Sequence, residues 1–373
     1  MAEIMVAEAH QAWCKEMEAF EETKAGIKGL VDSGVSKVPR IFVHPDQDKL
    51  PKAPSDSLQV PVIDLEGIDV RRAEIVGLIR GACETWGCFQ LINHGMEGGI
   101  IDATLEAIRK LHEQPNEAKA GLFSDDSSQQ VRFYTTNGLV DESRPGPWRD
   151  AMACAFLDDK LDSEKIPAVC RKEMEDYVKS IIKIRDNLSE LLSEALGLSR
   201  DYLGSLECMK SEYMTWLYYP PCPEPHLTFG AGQHSDPTFL TIILQDTIGG
   251  LQFLHQDHWV DAVPIPGALI AHVGDLMQVI SNDKFKSVEH RVLARADETR
   301  VSAACFLYPS AQNIQKPFGP IKELISDTNP CIYKEVFPLE YATFYQTKPL
   351  DGSSALSHYK LELNGNQENA QPA

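Results

Sequence analysis

The stretch KFKSVEHRVLARADETRVSAACFLY, residues 284–308, decides how this chain is read. It holds two β-prone runs, SVEHRVLA and RVSAACFLY, joined by a polar turn. One histidine, His290, lies in the first run. Arg300 and Ser302 open the second, and on a strand residues i and i+2 point to the same side. A guanidinium beside a hydroxyl is a receptor for a carboxylate, because Arg binds it bidentately and Ser adds a donor.

Upstream, the texture from about residue 210 is the same. EYMTWLYY, FLTIILQ, LQFLHQDHWVDAV and ALIAHVGDLMQVI alternate with turn signals such as IGG and PIPG. Short strands at this spacing predict a sandwich or a jelly-roll barrel (a double-stranded β-helix). The first half reads as mostly helical around it, which makes the class mixed α/β with an N-terminal helical region and flanking helices. Periodicity predicts helices over 10–31, 71–86, 97–113 and 171–197, and β-type runs at 60–68 and 88–95. Residues 121–150 are polar and read as irregular, and 39–61 as an extended Pro-rich connection. The expected units are an N-terminal helix and arm (1–58), a region over 59–205, the jelly-roll core (206–312) and a C-terminal segment (313–362). A polar tail (363–373) is expected to be disordered.

The core carries a second pattern, His234-Ser235-Asp236. His234 and Asp236 can present a nitrogen and an oxygen to one point. A distant strand can bring His290, 54 positions after Asp236, opposite them. Two histidines and one carboxylate on one face of a metal form the facial triad that leaves positions open on iron. Tyr219, before the Pro-Pro pair, offers a further hydroxyl near Arg300. A zinc hydrolase would also use two histidines and a carboxylate, but would leave Arg300 and Ser302 without a task.

Composition narrows the partners. Across 373 residues, 55 acidic against 35 basic side chains give a formal net charge of −20. That field repels phosphate backbones and anionic lipid, so neither nucleic acid nor a membrane surface is an expected partner. No apolar run reaches the roughly 18 residues of a membrane span. The acidic N-terminus has no apolar stretch of signal-peptide type. Nine scattered cysteines, with no C-x-x-C, predict reduced thiols and a cytoplasmic location. A monomer is expected, since no long heptad run occurs.

HSD (234–236), KFKSVEHRVLA (284–294) and RVS (300–302) together resemble the plant Fe(II)/2-oxoglutarate-dependent dioxygenases. VPVIDLEGI (60–68), WGCFQLINHG (86–95), LYYPPCPEP (217–225) and LTIILQDTIGGLQ (240–252) carry the likeness along the chain. KAGIKGLVDSGVSKVPRIFVHP (24–45) and GPIKELISDTNPCIYKEV (319–336) resemble the group of aminocyclopropane-carboxylate oxidase homologues. That group includes desacetoxyvindoline hydroxylase and a benzoxazinoid (indolinone) hydroxylase.

The resemblance implies Fe(II) at His234, Asp236 and His290, and 2-oxoglutarate at Arg300 and Ser302 with help from Tyr219. It implies O₂ as co-substrate, ascorbate as a supporting reductant, and succinate and CO₂ as products. The substrate would be a small specialised metabolite such as an alkaloid, hydroxylated, oxidatively demethylated or desaturated. Phe133, Tyr134, Arg149, Trp216, Leu217 and Phe306 are the candidate substrate contacts. Two departures stand out. Leu217 occupies a position where relatives carry Asn or His, and Ala271-His272 replaces a more usual Val-Asn. The alternatives are an ascorbate-dependent aminocyclopropane-carboxylate oxidase and a non-catalytic ligand-binding β-barrel. The long N-terminal arm argues against the former.

Overall fold

The computed structural model describes residues 2–45, 58–126, 128–136, 145–160, 162–347 and 354–362. Most of the Pro-rich connection and the polar C-terminal tail lie outside these residues.

Two sheets face each other. The larger runs in the order β1 (Val62–Asp64), β2 (Cys88–Ile92), β10 (Leu269–Val273), β7 (Leu240–Gln245), β12 (Arg300–Tyr308), β5 (Ser211–Tyr219), β4 (Asp150–Phe156), β3 (Val131–Tyr134). The smaller runs β6 (Phe229–His234), β11 (His290–Leu293), β8 (Leu251–His255), β9 (His258–Asp261). All pairings are antiparallel except β1 with β2. This is a jelly-roll core, one of the two architectures that the β-run spacing predicts.

The helices are α1 (Ala2–Glu22), α2 (Gly26–Asp32), α3 (Ile68–Thr85), α4 (Gly98–His112), α5 (Asn116–Lys119), α6 (Arg171–Ala195), α7 (Tyr202–Ser205), α8 (Asp275–Ile280) and α9 (Pro338–Thr347). On α6, Met174, Tyr177, Val178, Ile181, Ile184, Leu188, Leu191 and Leu192 are buried, the helical spacing of one apolar stripe. That stripe joins α3, α4 and one face of the large sheet in the main core. Each such side chain stabilises the fold by about 1.5–3 kcal/mol on burial.

Three expectations are corrected. The single helix over 10–31 is two, because the chain turns at Lys24 (φ 47°) and Gly26 (φ 68°). The turn aims the start of α2 at Asp150, whose Oδ1 and Oδ2 accept from the backbone N–H of Ile27 and Lys28, both at 2.8 Å. A Cβ on Gly26 would lie 2.3 Å from the same carboxylate. The polar stretch 121–150 contains β3 and the start of β4, so four strands of the large sheet come from the first half of the chain. Finally, ALIAHVGDLMQVI is a strand and then a helix. The break falls at Gly274, where a Cβ would collide with the Thr238 carbonyl at 2.2 Å.

Period-two alternation sorts the large sheet into two faces. Met214, Trp216 and Tyr218 of β5, with Val301, Ala303, Cys305 and Leu307 of β12, face the helical layer. Leu217, Tyr219, Ala304 and Phe306 face the other way, into the lumen between the sheets. The lumen is where the site lies.

Candidate active site

β6 and β11 pair so that His234 and His290 stand directly opposite, with ring centroids 4.2 Å apart. Asp236 lies just past the end of β6. Its Oδ1 is 3.6 Å from His234 Nε2 and 3.7 Å from His290 Nε2. The three donor atoms lie within 4.8 Å of one another, the grouping among the described residues that a metal ion could occupy.

The protein prepares these donors. His234 Nδ1 is 2.7 Å from the Gly232 carbonyl and His290 Nδ1 is 3.3 Å from that of Val288. A carbonyl only accepts, so each Nδ1 carries the proton and each Nε2 keeps its lone pair for a metal. Withdrawal from bulk water, then the neighbouring positive groups, lowers both imidazoles to about 4, so both are neutral at pH 7. Burial would raise the Asp236 carboxyl; His290, His272, His234 and the Thr241 hydroxyl outweigh it and hold it below the usual range. Thr241 Oγ donates to Asp236 Oδ2 at 2.6 Å, leaving Oδ1 for the centre. Behind this loop, Asp275 N–H donates to the Asp236 carbonyl, and Tyr345 OH to that of Ser235 at 2.5 Å. His272 is fully buried; its Nε2 is 3.3 Å from Asp236 Oδ2.

Deeper in the lumen, Arg300 and Ser302 start β12. Arg300 Nη1 donates to Ser302 Oγ at 3.0 Å and Nη2 to Gln245 Oε1 at 3.2 Å. Its guanidinium carbon is 4.8 Å from the Tyr219 ring centre. Arg300 is 1% exposed, and its Nε is buried with no partner. A buried, orphaned cationic donor is costly unless a ligand completes it. Two imidazole nitrogens and a carboxylate suit Fe(II), and Arg300 with Ser302 suits a carboxylate, so these residues fit both groups.

The candidate substrate contacts divide. Tyr134, Leu217 and Phe306 belong to the lumen cluster. Arg149 also faces the lumen, packed against the Tyr219 hydroxyl. Phe133 and Trp216 do not: both lie in the helix-facing core, 1% and 0% exposed. Each is one residue out of phase with a lumen neighbour. Tyr213 joins the chamber and was not foreseen; its ring is 6.4 Å from that of Phe306. Tyr308, two positions beyond Phe306, also sits near Asp236. Strand parity, counted from Arg300 and Tyr219, picks out both.

A cavity of about 620 Å³ is lined by Trp86, His255, Val288 and Glu289 among others, and none of His234, Asp236 and His290 lines it. Trp86 and His255 stack in parallel at 3.7 Å. No helix among the described residues is long and apolar enough to cross a membrane.

Known proteins resemble this chain. The 2OG-Fe(II) oxygenase superfamily matches residues 206–309, and the family of the non-haem dioxygenase N-terminal region in morphine synthesis matches 60–172. The chain is 46% identical to 1-aminocyclopropane-1-carboxylate oxidase homolog 6 of Arabidopsis thaliana, covering 93% of this chain and 97% of the relative. It is 43% identical to a 1-aminocyclopropane-1-carboxylate oxidase homolog of Solanum lycopersicum, covering 93% and 96%. The crystal structure of JOX2 in complex with 2OG, Fe and JA superposes with a TM-score of 0.80 at 31% identity, covering 90% of this chain and 97% of that one. The chain belongs to the 2OG-Fe(II) oxygenase superfamily, among the plant homologues of 1-aminocyclopropane-1-carboxylate oxidase, and is an Fe(II)- and 2-oxoglutarate-dependent dioxygenase.

Proposed function

We propose that the enzyme hydroxylates a small specialised plant metabolite, with His234, Asp236 and His290 holding Fe(II) and Arg300, Ser302 and Tyr219 holding 2-oxoglutarate. The observation that carries this is the convergence of the three donors, within 4.8 Å, in the same lumen as Arg300, whose Nε is buried without a partner. Bound iron supplies the redox chemistry: one O₂ oxidises a substrate C–H to C–OH and 2-oxoglutarate to succinate and CO₂.

The protein's own part is orientation. The Nδ1–H donors fix both imidazole rings, and Thr241 turns the Asp236 carboxylate. Arg300 and Ser302 set the depth at which the distal carboxylate of 2-oxoglutarate stops. Leu217 leaves an apolar surface where an amide would offer a hydrogen bond, so co-substrate orientation rests more heavily on Arg300 and Ser302. Tyr134, Leu217, Phe306 and the neighbouring aliphatic residues keep water from the reacting carbon.

Aromatic walls beside a few polar groups suit a mid-sized, partly apolar molecule. An alkaloid or related nitrogen heterocycle is the class that the resemblance favours. Attack at an O- or N-methyl carbon gives demethylation by the same chemistry, and desaturation is the variant in which no oxygen is transferred. The enzyme acts as a cytoplasmic monomer, with ascorbate keeping iron reduced. Incubation with Fe(II), 2-oxoglutarate and a panel of plant heterocycles, with succinate and hydroxylated product measured together, tests the reading. Stoichiometric succinate and product are expected. Turnover that needs ascorbate but not 2-oxoglutarate would contradict it.

A further inference from the structure

The Trp148-Arg149-Asp150 segment is held on both sides of its middle residue. Trp148 is fully buried against Phe42, edge to face at 5.8 Å. Asp150 is spent on the N-terminus of α2 and on Thr135 Oγ at 2.7 Å. Strand alternation then turns Arg149 into the lumen. Asp150 opposes Tyr218 in register, so Arg149 comes alongside Tyr219, which in turn opposes Arg300. Tyr219 sits between two guanidiniums.

Asp236 is the carboxylate whose field acts on Arg149. Among the described residues Arg149 makes no ion pair, and its Nε is buried without a hydrogen-bond partner. Its neighbours are the Tyr219 and Tyr134 hydroxyls, and its positive field reaches His234 and His290.

Two guanidiniums, Arg149 and Arg300, flank Tyr219, and of the two it is Arg300 that engages Ser302 and Gln245. A buried guanidinium nitrogen without a partner is costly, and a ligand of opposite charge removes that cost.

Position says which ligand. Arg300 works with Ser302 and Gln245, on β12 and β7. Arg149 is on the other side of β5, next to β3, where Tyr134 forms the chamber wall. We propose that Arg149 receives a carboxylate of the substrate, so that the enzyme acts on an acidic small molecule. This rests on the functional reading above and sharpens it: a nitrogen heterocycle that bears a carboxylate fits, and a neutral or cationic one does not.

The test uses the full chain, loaded anaerobically with Fe(II) and 2-oxoglutarate. The visible charge-transfer band of that complex reports on the functional reading before any probe is added; its absence in wild type overturns that reading and this inference with it. Phenylacetate, cinnamate and indole-2-carboxylate are then titrated beside their methyl esters, with perturbation of the band as the measure of binding. At least one acid is expected to bind about tenfold or more tightly than its ester, the size of one charge-assisted contact. Arg149→Gln is expected to lose that preference while still forming the band, and Arg149→Lys to keep part of it. Esters binding as well as acids, or no acid perturbing the wild-type band, would overturn the proposal. So would a preference that survives Arg149→Gln while 2-oxoglutarate affinity falls as far as in Arg300→Gln, because the guanidinium would then serve the co-substrate.

Discussion

Tyr219 and Arg300 face each other in direct register across β5 and β12, the guanidinium carbon 4.8 Å from the ring centre. Ser302 completes this end of the lumen, two residues along the same strand. Arg300→Lys keeps the charge but loses the planar fork. We expect the KM for 2-oxoglutarate to rise at least about tenfold in Arg300→Lys and by less in Ser302→Ala, with kcat at saturating co-substrate changed little. Steady-state succinate assays decide it; unchanged KM values would remove these residues from the co-substrate site.

Thr241 supports the proposed metal centre without entering it. Its hydroxyl donates to Asp236 Oδ2, and its loss frees the carboxylate to rotate. Thr241→Val is expected to weaken Mn(II) affinity about 10- to 100-fold, the usual scale for an outer hydrogen bond to a metal ligand. Electron paramagnetic resonance titration of free Mn(II) measures it. Equal affinity in the two proteins would mean that Asp236 needs no such restraint.

The two faces of the large sheet predict opposite consequences for two phenylalanines. Phe133 packs against His112 and Phe123 in the helix-facing core, and Phe133→Ala should cost about 3–5 kcal/mol of stability. Phe306 is only partly buried in the lumen. Phe306→Ala should leave urea unfolding nearly unchanged but uncouple succinate formation from product formation. The reverse pattern would place Phe133 at the substrate.

Asp150 ties the N-terminal helices to the core. Asp150→Ala strips acceptors from Ile27 N–H, Lys28 N–H and Thr135, at a cost of about 1–3 kcal/mol. Hydrogen exchange should accelerate over residues 26–32 with little change in α6. Protection that is unaltered over 26–32 would show that the arm is held by its apolar contacts alone.

His112 makes acid stability testable. Burial, first, and then Lys119 lower its imidazole to about 3, and its Nε2–H donates to the Trp216 carbonyl at 3.2 Å. The folded pKa is depressed, so unfolding takes up a proton once pH falls below about 6.5. The contribution is complete above that pH and is lost as pH falls towards about 3. His112→Gln keeps a donor without the titration. Between pH 4.5 and 6 its unfolding free energy should depend on pH less steeply than wild type, by up to about 1.4 kcal/mol per pH unit. Parallel slopes would contradict this.

Much of the site was legible because its chemistry is concentrated. His234, Asp236, His290, Arg300 and Ser302 sit in short motifs whose residue types have few joint uses. The i, i+2 rule that paired Arg300 with Ser302 also separates Leu217 from Trp216 and Tyr134 from Phe133. Applying it along β5 and β12 would have placed Tyr213 and Tyr308 in the chamber and Trp216 outside it. Other features were closed to local reading. The break between α1 and α2 depends on Asp150, more than a hundred residues away. β3 lies in a polar stretch whose strand character comes from pairing with β4, not from its own pattern.

The most direct test of the whole account is anaerobic addition of Fe(II) and 2-oxoglutarate to the purified protein, with His234→Ala and Arg300→Ala alongside. The account predicts a visible metal-to-ligand charge-transfer band in wild type, lost in His234→Ala for want of metal and weakened in Arg300→Ala for want of co-substrate affinity. A wild-type protein that binds iron but shows no band with 2-oxoglutarate would contradict it.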